Sequence, residues 1–234
     1  MTRLLNGIVA FGSALLLAVT LIGAGFAAVA IPDAATATLS RAFSGCDQPN
    51  TPFTADELAS MAIAGKRYTF DDNDREKLDA AIAEANAAAE ADGRAGTLTR
   101  ESAARSLPAD AISHLDDVYR VASAAKPALA IVAALCIAGL AHVAVRISRR
   151  ALGRTLMAGG GLVLAAFFAL GAWAAIDFDG LFAAFHSLFF QAGTWTFPYD
   201  SLLITLYPTA FWMGMGGIWL AVTCIASIIC IIVG

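Results

Sequence analysis

Two of the three histidines in this chain stand in company that an ordinary surface histidine does not keep. His186 lies within Phe185-His186-Ser187-Leu188-Phe189-Phe190 and is followed closely by Gly193, Trp195 and Pro198. An imidazole inside an apolar run is costly unless it has a partner or a task. In a helix beginning near Asp179, residues Leu181, Phe182, Phe185, Leu188 and Phe189 form a continuous apolar face, as an interfacial or re-entrant segment requires. His186 falls on that face or at its border. His114 is flanked by Asp110 and Asp117, and spacings of four and three residues put all three on one side of a helix. Either carboxylate could accept an imidazole N–H and raise the basicity of the ring.

Simpler accounts exist for each residue. His114 could be a solvated side chain on an exposed helix, and His186 an interfacial ring that reaches for water. Trp195, Phe197 and Tyr199 suit an aromatic belt at a polar–apolar boundary. Asp200 is placed to cap a short helix through Leu206, and Pro208 to open the last apolar helix. His142, four residues before Arg146, reads as structural, and Gly159 to Gly161 with Gly214, Gly216 and Gly217 read as close helix contacts. Two histidines and nearby carboxylates could in principle hold a metal, but no HExxH or comparable ligand spacing occurs, and none is expected.

The elements that must position these residues are set by hydropathy. Hydrophobic residues make up 59% of the chain and the mean hydropathy is +0.70, which is a membrane-protein composition. Apolar stretches at 4–31, 127–145, 155–176 and 202–234 can each supply the roughly 20 residues that cross a bilayer. The first carries a small-x-small site at Ala28-Val29-Ala30. It exceeds the usual apolar core of a signal peptide and is read as an anchor.

Arg3 and the cluster Arg146, Arg149, Arg150 and Arg154 mark the cytoplasmic side, so both termini are expected inside. The chain thus divides into membrane helix 4–31, extracytoplasmic domain 32–126, membrane helix 127–145, basic cytoplasmic loop 146–154, membrane helix 155–176, extracytoplasmic His-containing loop 177–201, and a short helix with the fourth membrane helix over 202–234. The expected fold is all-α.

The extracytoplasmic domain reads as helical. Thr54-Ala55-Asp56-Glu57 has capping-box spacing, a second helix opens near Asn73-Asp74-Arg75-Glu76 and stops at Gly93, and a third begins around Pro108. Lys126-Pro127 is expected to break that third helix at the membrane surface. A domain with Cys46 as its only cysteine has no internal disulfide, and Cys46 is expected to be partly buried. Its Phe43-Ser44-Gly45-Cys46 context looks like a lipobox, but polar residues separate it from the apolar run. No phosphate-binding glycine loop, CxxC pair or basic aromatic face for nucleic acid is present.

Leu107 to Val118, Phe185 to Phe190 with Gly193-Thr194-Trp195-Thr196-Phe197, and Asp200 to Leu203 with Leu206-Tyr207-Pro208 together resemble the DUF1461 family of integral membrane proteins. The characterised members of that family are the lipoprotein intramolecular transacylases called Lit. The resemblance implies a bacterial cell-membrane enzyme, working without a cofactor on the outer face. It would move the sn-2 acyl chain of a diacylglyceryl lipoprotein onto the α-amine of its own terminal cysteine. By motif, the functional histidines would be His114 and His186.

That chemistry agrees with the residues. Ester-to-amide transfer is downhill and needs no nucleotide, but it does need a base for the amine and a donor for the carbonyl. His186 as base with His114 polarising the ester, the reverse assignment, and a two-step route through an acyl-imidazole are all open. Asp117 or Asp110 would orient His114. Trp195 and Asp200 would support the site, and Phe185, Phe189, Phe190 and Tyr199 would line the lipid side. Partners would be the lipoprotein and membrane lipids, with no nucleic acid. Two other readings keep the scaffold: another lipid-ester acyltransferase or hydrolase, and a non-catalytic membrane protein that binds lipoproteins through 32–126.

Overall fold

The computed structural model describes residues 2–234 and contains no strand among them. The helices are α1 (Thr2–Ala30), α2 (Asp33–Phe43), α3 (Ala55–Phe70), α4 (Arg75–Ala91), α5 (Ala109–His142, continued by a π-helical turn Val143–Ile147), α6 (Arg149–Ile176), α7 (Phe178–Ser187), α8 (Leu202–Leu206) and α9 (Thr209–Val233). Four of them, Arg3–Ala30, Ala109–Ile147, Arg149–Ile176 and Thr209–Val233, are long and apolar enough to cross a membrane. The chain forms two compact units. One comprises α1 as far as Val29, Ala124–Ala184 and Ile218–Gly234; the other comprises Ala30–Ser123 and Phe185–Gly217.

The first unit buries little and exposes much that is apolar. Phe168, Ile176, Val145 and Ile232 are each at least 77% exposed, a surface that only an apolar solvent stabilises. Its helices meet through small residues. A Cβ at Gly160 would lie 2.6 Å from the Ser227 carbonyl oxygen, and one at Gly139 would lie 2.5 Å from Ser13 Oγ. Trp219 packs edge-on to Phe26 and Phe167 and donates its indole N–H to the Ile22 carbonyl at 3.1 Å. The hydroxyls of Ser13, Thr20, Thr155 and Ser227 donate to carbonyls four residues back, which satisfies them within their own helices.

Two expectations for this unit are corrected. The basic link over 146–154 is not a loop: after the π-helical turn only Ser148 intervenes, and its hydroxyl accepts from the Ala151 amide at 3.0 Å to start α6. The helix also continues through Pro127 rather than breaking there. Proline removes one hydrogen bond from the ladder, but its fixed φ is helical, and the flanking turns carry the element onward.

The second unit has a conventional core. Leu58, Met61 and Ala62 of α3, Leu78, Ile82 and Ala89 of α4, Leu107, and Ala111, Ile112 and Leu115 of α5 pack around Leu202, Leu203 and Leu206 of α8. Burying residues the size of Met61 or Leu78 stabilises by about 2 kcal/mol each. Leu78, Ile82 and Ala89 thus commit α4 to this core.

Helix starts follow local chemistry. Thr54 Oγ1 accepts from the Glu57 amide while the Glu57 carboxylate accepts from the Thr54 amide, completing the expected box. Asp74 caps α4, and Gly93 ends the following turn at φ +69°. Helix α2, which the polar Thr36–Arg41 stretch does not announce, buries Thr36, Leu39 and Ser40. Ser201, not Asp200, caps α8 through its hydroxyl and the Ile204 amide; Asp200 is exposed. Cys46 is exposed rather than partly buried.

Candidate functional site

His114 and His186 both belong to the second unit, both are buried, and their rings stack with centroids 6.2 Å apart and planes 28° apart. His114 projects from the second turn of α5 beside Ala111 and Leu115, which anchor that turn in the core. His186 sits at the last turn of α7. Its neighbours Phe185, Leu188 and Phe189 are 49%, 76% and 48% exposed, so the helix end turns its imidazole inward and its hydrocarbon outward. The Phe189 and Phe190 amides both bond back to the His186 carbonyl, and this turn sets the Phe190 ring 5.0 Å from His114 and 5.7 Å from His186. Phe197 lies 5.6 Å from His114, and Trp195 lies 4.9 Å from His186. The pair therefore stands in an aromatic enclosure.

Burial sets the electrostatics. The His114 ring is pushed down to about 4, first by desolvation and second by the charge that His186 would carry, so it is neutral at any physiological pH. Its Nδ1 is buried with no hydrogen-bond partner among the described residues, and so is the Trp195 indole nitrogen.

The carboxylates expected beside His114 are engaged elsewhere. Asp117 pairs with Arg120, Asp110 accepts from the Ala111 amide at 2.8 Å, and Asp116 accepts from the Tyr68 hydroxyl. Tyr199 is exposed and ties its loop down: its hydroxyl donates to the Asp47 carbonyl at 2.9 Å, and its own carbonyl accepts from Gln48. Among the described residues no group of three His, Cys, Asp or Glu side chains converges as metal ligands would.

Several supports of the site were not anticipated from sequence. Arg105 is 2% exposed and ties down the segment leading into α5. It donates to Asn86 Oδ1 at 2.7 Å, to Glu90 Oε1 at 2.7 Å and to the Leu98 carbonyl at 2.6 Å, while Asn86 donates back to the Arg105 carbonyl at 2.9 Å. The Leu202 amide donates to the Ala103 carbonyl at 2.6 Å, which joins the start of α8 to that segment. Tyr207 reaches the Ala62 carbonyl at 2.7 Å, and Ser44 the Leu206 carbonyl at 2.6 Å. These contacts fix the segment that leads into α5 and the α8 turn that follows the enclosure's loop.

Comparison with known proteins bears on what such an enclosure serves. No curated protein matches the sequence. Among solved structures, the membrane-integral lipoprotein intramolecular transacylase Lit from Bacillus cereus superposes with a TM-score of 0.72 at 17% identity, over 97% of this chain and 92% of that one. Structures of the same Bacillus cereus protein with a histidine replaced by arginine or by alanine give TM-scores of 0.65 and 0.67 at 16% and 15% identity, over 98% of this chain and 90% and 91% of those. At such identities the likeness concerns the fold. Sequence relationship comes from the family described as lipoprotein intramolecular transacylase Lit, which matches residues 94–212, just over half the chain and inclusive of both buried histidines. The chain therefore belongs to the family of lipoprotein intramolecular transacylases, Lit.

Proposed function

We propose that this protein moves the sn-2 acyl chain of a diacylglyceryl lipoprotein to the α-amine of the same terminal cysteine, at the outer face of a bacterial cell membrane, with both termini in the cytoplasm. The observation that carries the reading is the stacked, buried His114–His186 pair in its aromatic enclosure. The exposed Phe185, Leu188 and Phe189 beside it suit a substrate that arrives from the lipid phase. The arginine cluster at the junction of α5 and α6 supports the orientation.

The histidines divide the work. An α-amine has an ordinary pKa near 8, so a useful fraction is neutral and can attack the ester carbonyl. His114, held neutral by its burial, is a weak base and suits the role of a hydrogen-bond donor to the carbonyl. His186 then takes the proton that the amine sheds on forming the C–N bond. As the C–O bond breaks, His186 returns that proton to the departing glyceryl oxygen, leaving an N-acyl cysteine and a free hydroxyl. Amine and ester belong to the same molecule, so the enclosure's main contribution is to hold them in a reactive pose. Phe185, Phe189 and Phe190 would line the acyl chain. Asp110, Asp117, Asp200 and Tyr199 would act only by shaping the surrounding backbone.

The test is mass spectrometry of the N-terminal lipopeptide of a diacylglyceryl lipoprotein after incubation with the protein, with His114→Ala or with His186→Ala. With the intact protein, one acyl chain should move to the amine at constant total mass. Each variant should lose about 10²-fold or more of that rate. A peptide lighter by one acyl chain would instead establish hydrolysis or transfer to another acceptor.

A further inference from the structure

The Trp195 indole N–H is a buried donor with no acceptor among the described residues. Such groups are rare, because a lost hydrogen bond in the interior costs roughly 1–3 kcal/mol. Five buried side-chain N or O atoms lack partners among the described residues; three are threonine hydroxyls, and both nitrogens, His114 Nδ1 and Trp195 Nε1, belong to the histidine enclosure. Trp219 provides the contrast, since its N–H is satisfied by a carbonyl.

The turn before Trp195 is specific. Gly193 adopts φ +86°, and the Thr194 amide and hydroxyl both return to the Gln191 carbonyl, at 3.2 and 2.9 Å. A left-handed residue here is natural for glycine and strained for others. The turn delivers the indole face to within 4.9 Å of the His186 ring, tilted by 33°. Close packing alone would be met by phenylalanine, which this segment uses freely.

We propose that the Trp195 indole N–H donates to the ester carbonyl oxygen of the lipid substrate and holds it as it becomes the oxyanion. An indole N–H donates only and does not titrate near neutral pH, so it cannot serve as the base. It asks for an acceptor, and none of the described residues accepts from it: Asp110 and Asp200 are exposed, and Asp117 is paired with Arg120. The acceptor that a diacylglyceryl group brings is its ester carbonyl. Attack by the amine places a full negative charge on that oxygen, and a fixed donor in a dry aromatic site stabilises the charge far more than the neutral ester. The assignment rests on the acyl-transfer reading above and adds to it a donor that sequence alone places in an aromatic belt.

Trp195→Phe keeps an aromatic ring and removes the donor. With the lipopeptide assay, its kcat should fall by about 10²-fold while KM changes by less than about threefold. Trp195→His, which retains a ring N–H, should recover part of the loss. A phosphonate analogue of the tetrahedral intermediate should bind Trp195→Phe about 10²-fold more weakly than the intact protein, whereas an ether-linked lipopeptide, which has no carbonyl, should bind both alike. If Trp195→Phe does not fold, the indole 15N–H resonance missing from Trp195→His should move in the intact protein on adding the phosphonate, and not on adding the ether.

Retention of kcat within about threefold, a loss confined to KM, or an indole resonance indifferent to the phosphonate would overturn the assignment. The acyl-transfer reading fails separately: if the intact protein releases free fatty acid rather than N-acyl product, that reading is lost. A Trp195-dependent kcat for the hydrolysis would still support the carbonyl donor.

Discussion

His114 is an imidazole that folding keeps from being charged, and this has a measurable cost. In the unfolded chain it titrates near 6.5, whereas in the folded protein burial pushes it down to about 4. Between these values the unfolded state binds the extra proton, so stability rises with pH across that window and falls as pH drops from 6.5 toward 4. The thermal midpoint of the detergent-solubilised protein should decline over that interval, and His114→Phe, which has nothing to protonate, should flatten the decline. An unchanged slope in His114→Phe would remove His114 as its source. The depressed carboxyls do not confuse the window: Glu57, held down by Arg94, and Asp33, held down by Arg67 and Lys66, lose their contributions only as pH falls below the ordinary carboxylate range. Neutral His114 and donor-only Trp195 are then two groups whose hydrogen-bonding character stays constant throughout the physiological range.

The elements carrying these residues depend on a polar network rather than on apolar periodicity alone. Arg105 bridges α4 to the segment before α5 and is nearly fully buried, so Arg105→Met, which leaves Asn86 short of a partner, should lower the unfolding free energy by about 2–4 kcal/mol. Arg100 also binds Glu90, but it is half exposed, and Arg100→Ala should cost far less than Arg105→Met. Chemical denaturation of the two variants side by side checks both, and equal losses would refute the distinction. The same network shows what is legible in a sequence. The capping box at Thr54 and the stop at Gly93 can be read because a helix end needs particular side chains at fixed offsets. Arg105 cannot, because an arginine in a polar linker looks like any solvated charge until Asn86 and Glu90 are brought to it. Asp117 illustrates the converse: its spacing serves His114 and Arg120 equally well, and the flexible guanidinium, not the buried ring, takes it. Asp200 and Ser201 are likewise both competent caps one residue apart, and only the course of the backbone decides between them.

At the scale of the molecule, different parts of the chain meet different solvents. The four long apolar helices hold Cys136, Cys224 and Cys230, buried or half buried, while Cys46 is exposed in the turn after α2. The proposed orientation puts Cys46 outside the cell and Ser148, among the arginines, inside. A membrane-impermeant maleimide added to intact cells should therefore label Cys46, and Cys46→Ser should abolish the signal. In Cys46→Ser carrying Ser148→Cys, labelling should appear only after the membrane is permeabilised. Rate carries a second check. Partial desolvation, and then the neighbouring Asp47 carboxylate, push the Cys46 thiol up from its ordinary value. Because the thiolate is the reacting species, labelling should accelerate with pH and still be rising where an ordinary thiol begins to level off. Labelling of Ser148→Cys from outside with Cys46 protected would invert the orientation. It would also put the histidine unit on the cytoplasmic side, away from a substrate displayed on the outer leaflet.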